Sequence, residues 1–204
     1  MINLKAFCGK DDPRKYLNFP WKEDGKATAC NGYIAIQLDD MQGTDYPPPD
    51  KVIAGRIPTL LAQTLANKVE LQIVFPAEAP QKCGHCDRTG FVRSKECDEC
   101  DGEGRFEHGS HEYDCKECKG EGDIRTSTDR NDSNAKECPC CDGIGTLSRY
   151  IDLRANGTTY RFQENYLRLI SALPAARLLA AAESTAAVRF EFEGGAGVVL
   201  PCRY

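Results

Sequence analysis

The sequence predicts an α+β fold: strands with two helices, interrupted by a cysteine-rich insertion. Composition carries this reading. It shifts sharply near Pro80 and again near Leu147. Nine of the twelve cysteines and half of the 18 glycines lie between those points. The flanks are rich in aliphatic side chains, which the middle nearly lacks. Residues 1–80 and 148–204 are therefore assigned to one discontinuous domain, and residues 81–147 to the insertion. Three consecutive small domains is the weaker alternative, because the second flank alone would bury little core.

The elements follow in order. Alternation along Tyr33, Ile34, Ala35, Ile36, Gln37 and Leu38 predicts a strand. The run Pro47, Pro48, Pro49 marks a loop. Residues 57–68 carry Leu60, Leu61, Thr64 and Leu65 on one side, with Pro58 in the first turn, and predict an amphipathic helix. Residues 69–75 read as a strand. After the insertion, a strand at 147–153 leads to a hairpin turn at Asn156-Gly157. Residues 163–173 form a second helix, with Leu167, Ile170 and Leu173 on one side and a stop near Pro174. Three strand-like runs close the chain at 176–182, 188–193 and 197–201, with Gly194-Gly195 joining the last two.

Composition narrows the function classes. The first residues lack the basic start and apolar run of a signal peptide. The longest apolar stretch, 169–182, is broken by Pro174 and Arg177 and is too short to span a bilayer. A cytoplasmic protein with no membrane contact is expected, so the cysteines are not read as a disulfide scaffold. Residues 81–147 hold 10 basic and 16 acidic side chains. Two zinc ions, each held by four thiolates, would add −2 apiece and take the segment to −10. Such a surface repels phosphate, so nucleic-acid binding by the insertion is disfavoured.

The insertion contains an internal repeat. Its four copies run Cys83-Gly-His-Cys86-Asp-Arg-Thr-Gly90, Cys97-Asp-Glu-Cys100-Asp-Gly-Glu-Gly104, Cys115-Lys-Glu-Cys118-Lys-Gly-Glu-Gly122 and Cys138-Pro-Cys-Cys141-Asp-Gly-Ile-Gly145. Two cysteines at this spacing can place both thiolates on one metal from a tight turn, and the glycines permit positive φ after the second ligand. Eight ligands suffice for two closed four-cysteine sites, so two structural Zn²⁺ are expected. A redox dithiol is the rival reading of a single CxxC; four in series favour zinc. His85, His108 and His111 read as surface residues. Cys8, Cys30 and Cys202 read as small hydrophobes.

The CxxCxGxG repeat resembles the cysteine-rich region of DnaJ-type chaperones. That resemblance covers residues 81–147 and implies an extended β-hairpin with nested pairing. Repeats one and four would form one site, from Cys83, Cys86, Cys138 and Cys141. Repeats two and three would form the other, from Cys97, Cys100, Cys115 and Cys118. Arg88 replaces the first glycine of repeat one. Repeat four offers a third thiol, Cys140; Cys141 is favoured because Asp-Gly-Ile-Gly follows it in register. The loop 123–137 is expected to be long and mobile. The His-Pro-Asp of a J domain is absent, so recruitment of a partner ATPase chaperone is not implied.

The flanks carry a second resemblance. Ala27-Thr-Ala-Cys30-Asn31-Gly32-Tyr33-Ile34-Ala35 looks like the strand-turn of bacterial sliding clamps. Tyr160-Arg-Phe162-Gln-Glu-Asn-Tyr166-Leu167-Arg-Leu-Ile170-Ser-Ala-Leu173 resembles the helix of their last domain. Phe190-Glu-Phe192, followed by Val198-Val-Leu200-Pro201-Cys-Arg203, is similar to their C-terminus. The implied fold is a single clamp-like domain. A ring would need about six copies, and the helices that would line it carry few cations: Arg56, Lys68, Arg168 and Arg177.

No catalytic motif stands out: there is no P-loop, GxSxG or HExxH. Asp39-Asp40 reads as a strand-end turn. The expected function is a non-catalytic, zinc-binding protein-interaction adaptor, linked through the clamp resemblance to DNA replication or repair. The partner would be another protein or a second copy of the chain. The alternatives are chaperone-like binding of unfolded polypeptide through the zinc arm, and a thiol–disulfide oxidoreductase using Cys138, Cys140 and Cys141.

Overall fold

The computed structural model describes residues 2–40, 45–181 and 186–202. The chain divides into two compact units, Met1–Pro76 with Arg149–Tyr204, and Ala77–Ser148.

The first unit opens with short 3-10 turns at Leu4–Phe7 and Lys15–Leu17. Strands β1 (Trp21–Glu23), β2 (Lys26–Cys30) and β3 (Ile34–Leu38) follow. Next come α1 (Arg56–Gln63) and β4 (Val69–Leu71). In the second unit lie β5 (Phe91–Glu96), β6 (Arg105–His108), β7 (His111–Asp114), β8 (Asp123–Thr128) and β9 (Lys136–Glu137). The chain then returns to the first unit with β10 (Tyr150–Ala155), β11 (Thr158–Gln163), α2 (Glu164–Ser171), β12 (Arg177–Ala180), β13 (Val188–Phe192) and β14 (Gly195–Val199).

Seven of these strands make an antiparallel sheet in the order β1-β2-β3-β14-β13-β12-β4, and β10 pairs with β11 alone. Turn chemistry fixes the hairpins. At Asp24-Gly25 and Asn156-Gly157 both residues have positive φ, as a two-residue type I′ turn requires. Gly197 sits in β14 because a Cβ there would lie 2.0 Å from the Phe190 ring and 2.4 Å from the Ala35 carbonyl oxygen.

The strand at 34–38 is present, but all five of its residues are buried. Successive residues point to opposite faces, and both faces are covered. Ile34, Ile36 and Leu38 join the main core with Phe162, Leu167, Ile170 and Phe190. Ala35 packs with Trp21, Ile57, Leu61 and Val198 on the other side. Gln37 is tolerated there because its Nε2 donates to Thr28 Oγ1 at 3.2 Å. The two helices therefore pack on opposite faces of the sheet.

Several expectations change in detail. The first helix ends at Gln63 and tightens into a 3-10 turn at Thr64–Ala66, leaving Leu65 exposed. The strand expected over 69–75 spans three residues. The final hairpin turns at Glu193-Gly194, and Gly195 already belongs to β14. Strand β1 was not anticipated, whereas β2 lies in the strand-turn that the resemblance over residues 27–35 implies. Ala182, Arg203 and Tyr204 lie outside the described residues. The segment 123–137, expected as a long loop, instead holds two strands. β8 pairs with β5 over six residues, β9 pairs with the start of β5, and Asp129 and Asp132 cap the turn between by accepting from the N–H groups of Asn131 and Asn134.

Among the described residues, no helix is long and apolar enough to cross a membrane.

Glu164, buried at the first turn of α2, accepts from Arg168 Nε at 2.8 Å and from Arg149 Nη2 at 3.0 Å. The Arg149 hydrogen bond is the chief reason its carboxyl titrates below the ordinary value of 4.5. A depressed folded value stabilises the fold above the unfolded value and loses that effect as pH falls. Glu164→Gln should lower stability at pH 7 by about 2 kcal/mol. Urea denaturation should show that deficit shrinking below pH 4.5.

Candidate metal centres

Each repeat folds as the same tight turn, and the turns associate in two pairs. In every copy the N–H of the last glycine donates to the second cysteine: Gly90 to Cys86 Sγ at 3.3 Å, Gly104 to Cys100 at 3.2 Å, Gly122 to Cys118 at 3.3 Å and Gly145 to Cys141 at 3.2 Å. A donor aimed at sulfur favours the thiolate that a metal needs.

Two backbone hydrogen bonds tie each pair. The Cys83 N–H donates to the Gly145 carbonyl at 3.0 Å and the Cys138 N–H to Gly90 at 2.8 Å. The Cys97 N–H donates to Gly122 at 3.0 Å and the Cys115 N–H to Gly104 at 2.7 Å. This close approach explains the terminal glycines more fully than positive φ alone. A Cβ on Gly90 would stand 2.2 Å from the Gly143 carbonyl oxygen, and one on Gly122 would stand 2.3 Å from that of Gly102.

The result is two buried groups of four sulfurs: Cys83, Cys86, Cys138 and Cys141; and Cys97, Cys100, Cys115 and Cys118. The sulfurs in each group all lie within 4.8 Å of one another. Between turns, Cys83 and Cys138 are 3.8 Å apart, Cys86 and Cys141 3.7 Å, Cys97 and Cys115 3.9 Å, and Cys100 and Cys118 3.7 Å. A tetrahedron with Zn–S bonds of about 2.3 Å has edges of about 3.8 Å. A disulfide would need about 2.05 Å. The donor set, burial and spacing thus fit one zinc ion per group. When bound, each ion would supply charge neutralisation and a rigid crosslink between the two turns.

The thiols themselves resist sharing negative charge. Burial pushes Cys100 and Cys138 up to about 12. Burial also raises Cys83 and Cys118, but hydrogen bonds from backbone N–H groups and neighbouring thiols outweigh it and bring both to about 7. Four thiolates in one cluster therefore require a cation, and its binding expels protons.

Cys140 is exposed and belongs to neither group. His85, His108 and His111 are exposed and contribute to neither. Cys8 and Cys30 are buried thiols of the first unit, and burial raises both, Cys8 to about 12. Asp39 pairs with Lys26 at 3.5 Å. Arg88 holds φ of 72° where the other repeats have glycine. Sequence reasoning missed the exposed hairpin β6–β7 between repeats two and three; its alternation of aromatic and charged side chains was the available signal.

Comparison with models of known families, with curated proteins and with solved structures gives no match.

Metal analysis should find about two zinc ions per chain. Cys97→Ser or Gly122→Ala should abolish the site of Cys97, Cys100, Cys115 and Cys118, distal along the chain, and leave the proximal one of Cys83, Cys86, Cys138 and Cys141. Arg88→Gly should stabilise the proximal turn by about 1 kcal/mol, since a left-handed non-glycine residue is strained, and should slow zinc loss to a chelator. Chelation should erase hydrogen-exchange protection in 77–148 and spare the seven-stranded sheet.

Proposed function

We propose that this chain is a non-catalytic zinc-binding adaptor. Its strand-rich, clamp-like host docks on a protein partner or a second copy of itself, and the zinc arm presents an acidic surface. The observation that carries this reading is the closure of both cysteine groups. Every corner of each cluster is a buried sulfur, so a bound zinc would keep no open position for water or substrate.

The sliding-clamp and DnaJ-type resemblances support a place in replication or repair machinery and the nested hairpin arm. Free thiols throughout suit a reducing, cytoplasmic setting. Direct contact with nucleic acid is disfavoured for the arm by its charge. Ring closure around DNA has weak support. The helices pack on opposite faces of one sheet, Arg168 is engaged by Glu164, and Arg177 by Glu70 at 3.0 Å.

One observation favours the chaperone-like alternative: Phe106 and Tyr113 are exposed on the arm. The thiol–disulfide reading is weaker, because Cys138 and Cys141 are buried and only Cys140 of that run is exposed.

Light scattering coupled to size exclusion should show self-association, or pull-down with polymerase-type baits should retain the chain. A strict monomer that captures no partner counts against the adaptor. Suppression of client aggregation would instead support the chaperone reading. Inertness in insulin reduction, with both zincs retained, would dispose of the oxidoreductase, which needs metal-free thiols at Cys138 and Cys141.

A further inference from the structure

We propose that the distal half of the zinc arm binds a lysine- or arginine-rich polypeptide segment, seating one cationic side chain in a cleft beside Phe106 and Tyr113. This rests on the adaptor reading and names the class of its partner.

All eight residues of β6 and β7 are exposed. The register places Phe106 opposite Tyr113 and His108 opposite His111, so four rings share one face of the ribbon. Phe106 is 45% and Tyr113 54% exposed, far more than a structural aromatic needs. Beside them lies an open cleft of about 420 Å³, rimmed by Glu99, Asp114 and Glu117, with Lys116 also at its edge. Arg105 engages Glu112 and Asp114, at 3.3 and 3.9 Å. Among the described residues, Glu99 and Glu117 stand in no ion pair.

Charge selects the occupant. Residues 97–122 hold nine acidic and three basic side chains, whereas the rest of 81–147 holds seven of each. The acidity of the arm therefore belongs to its distal half, and a zinc held there by four thiolates would deepen it. Aromatic faces attract cations, and lysine and arginine carry an apolar stem behind the charge. Carboxylates on the rim complete the match. A polyanion is repelled here, and an apolar peptide gains nothing from the rim. The ribbon is also held at its base, where the Cys115 N–H donates to the Gly104 carbonyl at 2.7 Å, so little ordering accompanies binding.

The test uses the full-length, zinc-loaded protein and a fluorescein-labelled octa-arginine peptide, read by anisotropy at low salt and at about 0.15 M salt. The peptide should bind. Phe106→Ser with Tyr113→Ser should weaken it about tenfold, and Glu99→Gln with Glu117→Gln should do likewise. Asp87→Asn, in the proximal half, should leave it unchanged. Zinc content of two per chain confirms that each variant is folded. If the aromatic double variant binds like the parent at both salt concentrations, the attraction is diffuse and the cleft is not the site. Equal binding of an octa-glutamate peptide also overturns the proposal. No peptide binding by a chain that still captures partners sinks this inference alone. A partnerless monomer that binds the peptide sinks the adaptor reading instead.

Discussion

Four sulfur atoms at tetrahedral spacing stand where a module of this size would place a hydrophobic core. Around the proximal cluster the aliphatic support is Val92 and part of Leu147; around the distal one it is part of Ile124. Burial on that scale offsets little conformational entropy. The module's order would therefore depend on metal ligation, and the rest of its architecture brings the sulfurs together. Positive-φ turns aim each pair of cysteines, and the glycine carbonyls lock one turn against the next. The short strands carry the chain between clusters with little packing of their own.

The host is built on the opposite logic. Its seven-stranded sheet is covered on both faces, so its stability comes from aliphatic and aromatic burial rather than from ligands. Tyr160, Phe162 and Phe190 fill one side, and Trp21 anchors the other. Two ordinary helices suffice because the β10–β11 hairpin and the N-terminal turns complete the covering. A protein made this way can lose the shape of its arm without losing its sheet. The two parts then respond to different chemistry, one to metal supply and reductant, the other to temperature and denaturant.

The metal chemistry is legible in the sequence because cysteine spacing is a local code. Two ligands and their glycines lie within eight residues, and four copies repeat the message. The strand at Ile34 and the helix at Leu167 are legible for a related reason, since their side-chain periodicity is strong. The remainder was hidden by effects that a linear pattern does not record. β1 is three residues long and stands at a sheet edge, so its pattern is too brief to register. β4 stops at Leu71 because pairing with β12 ends there, although its apolar run continues. The segment 123–137 is polar apart from Ile124 and Ala135 and reads as loop. Its strand exists because β5 offers backbone partners, a fact of tertiary pairing. The opposite-face placement of the helices likewise depends on which residues of β3 meet which helix.

The nested arrangement also sets an order of assembly. The distal pair of turns joins cysteines 18 residues apart, Cys97 with Cys115, while the proximal pair joins Cys83 with Cys138 across 55. Closing the longer loop costs about 1 kcal/mol more chain entropy when both start from an open chain. Once the inner turns are cross-linked, the outer loop is shortened to the two connecting strands, and β5 and β8 are already aligned. The inner site thus acts as the nucleus and the outer site as the clasp. A newly made chain would capture its first ion between Cys97 and Cys118, and the module would close outward along the chain from there.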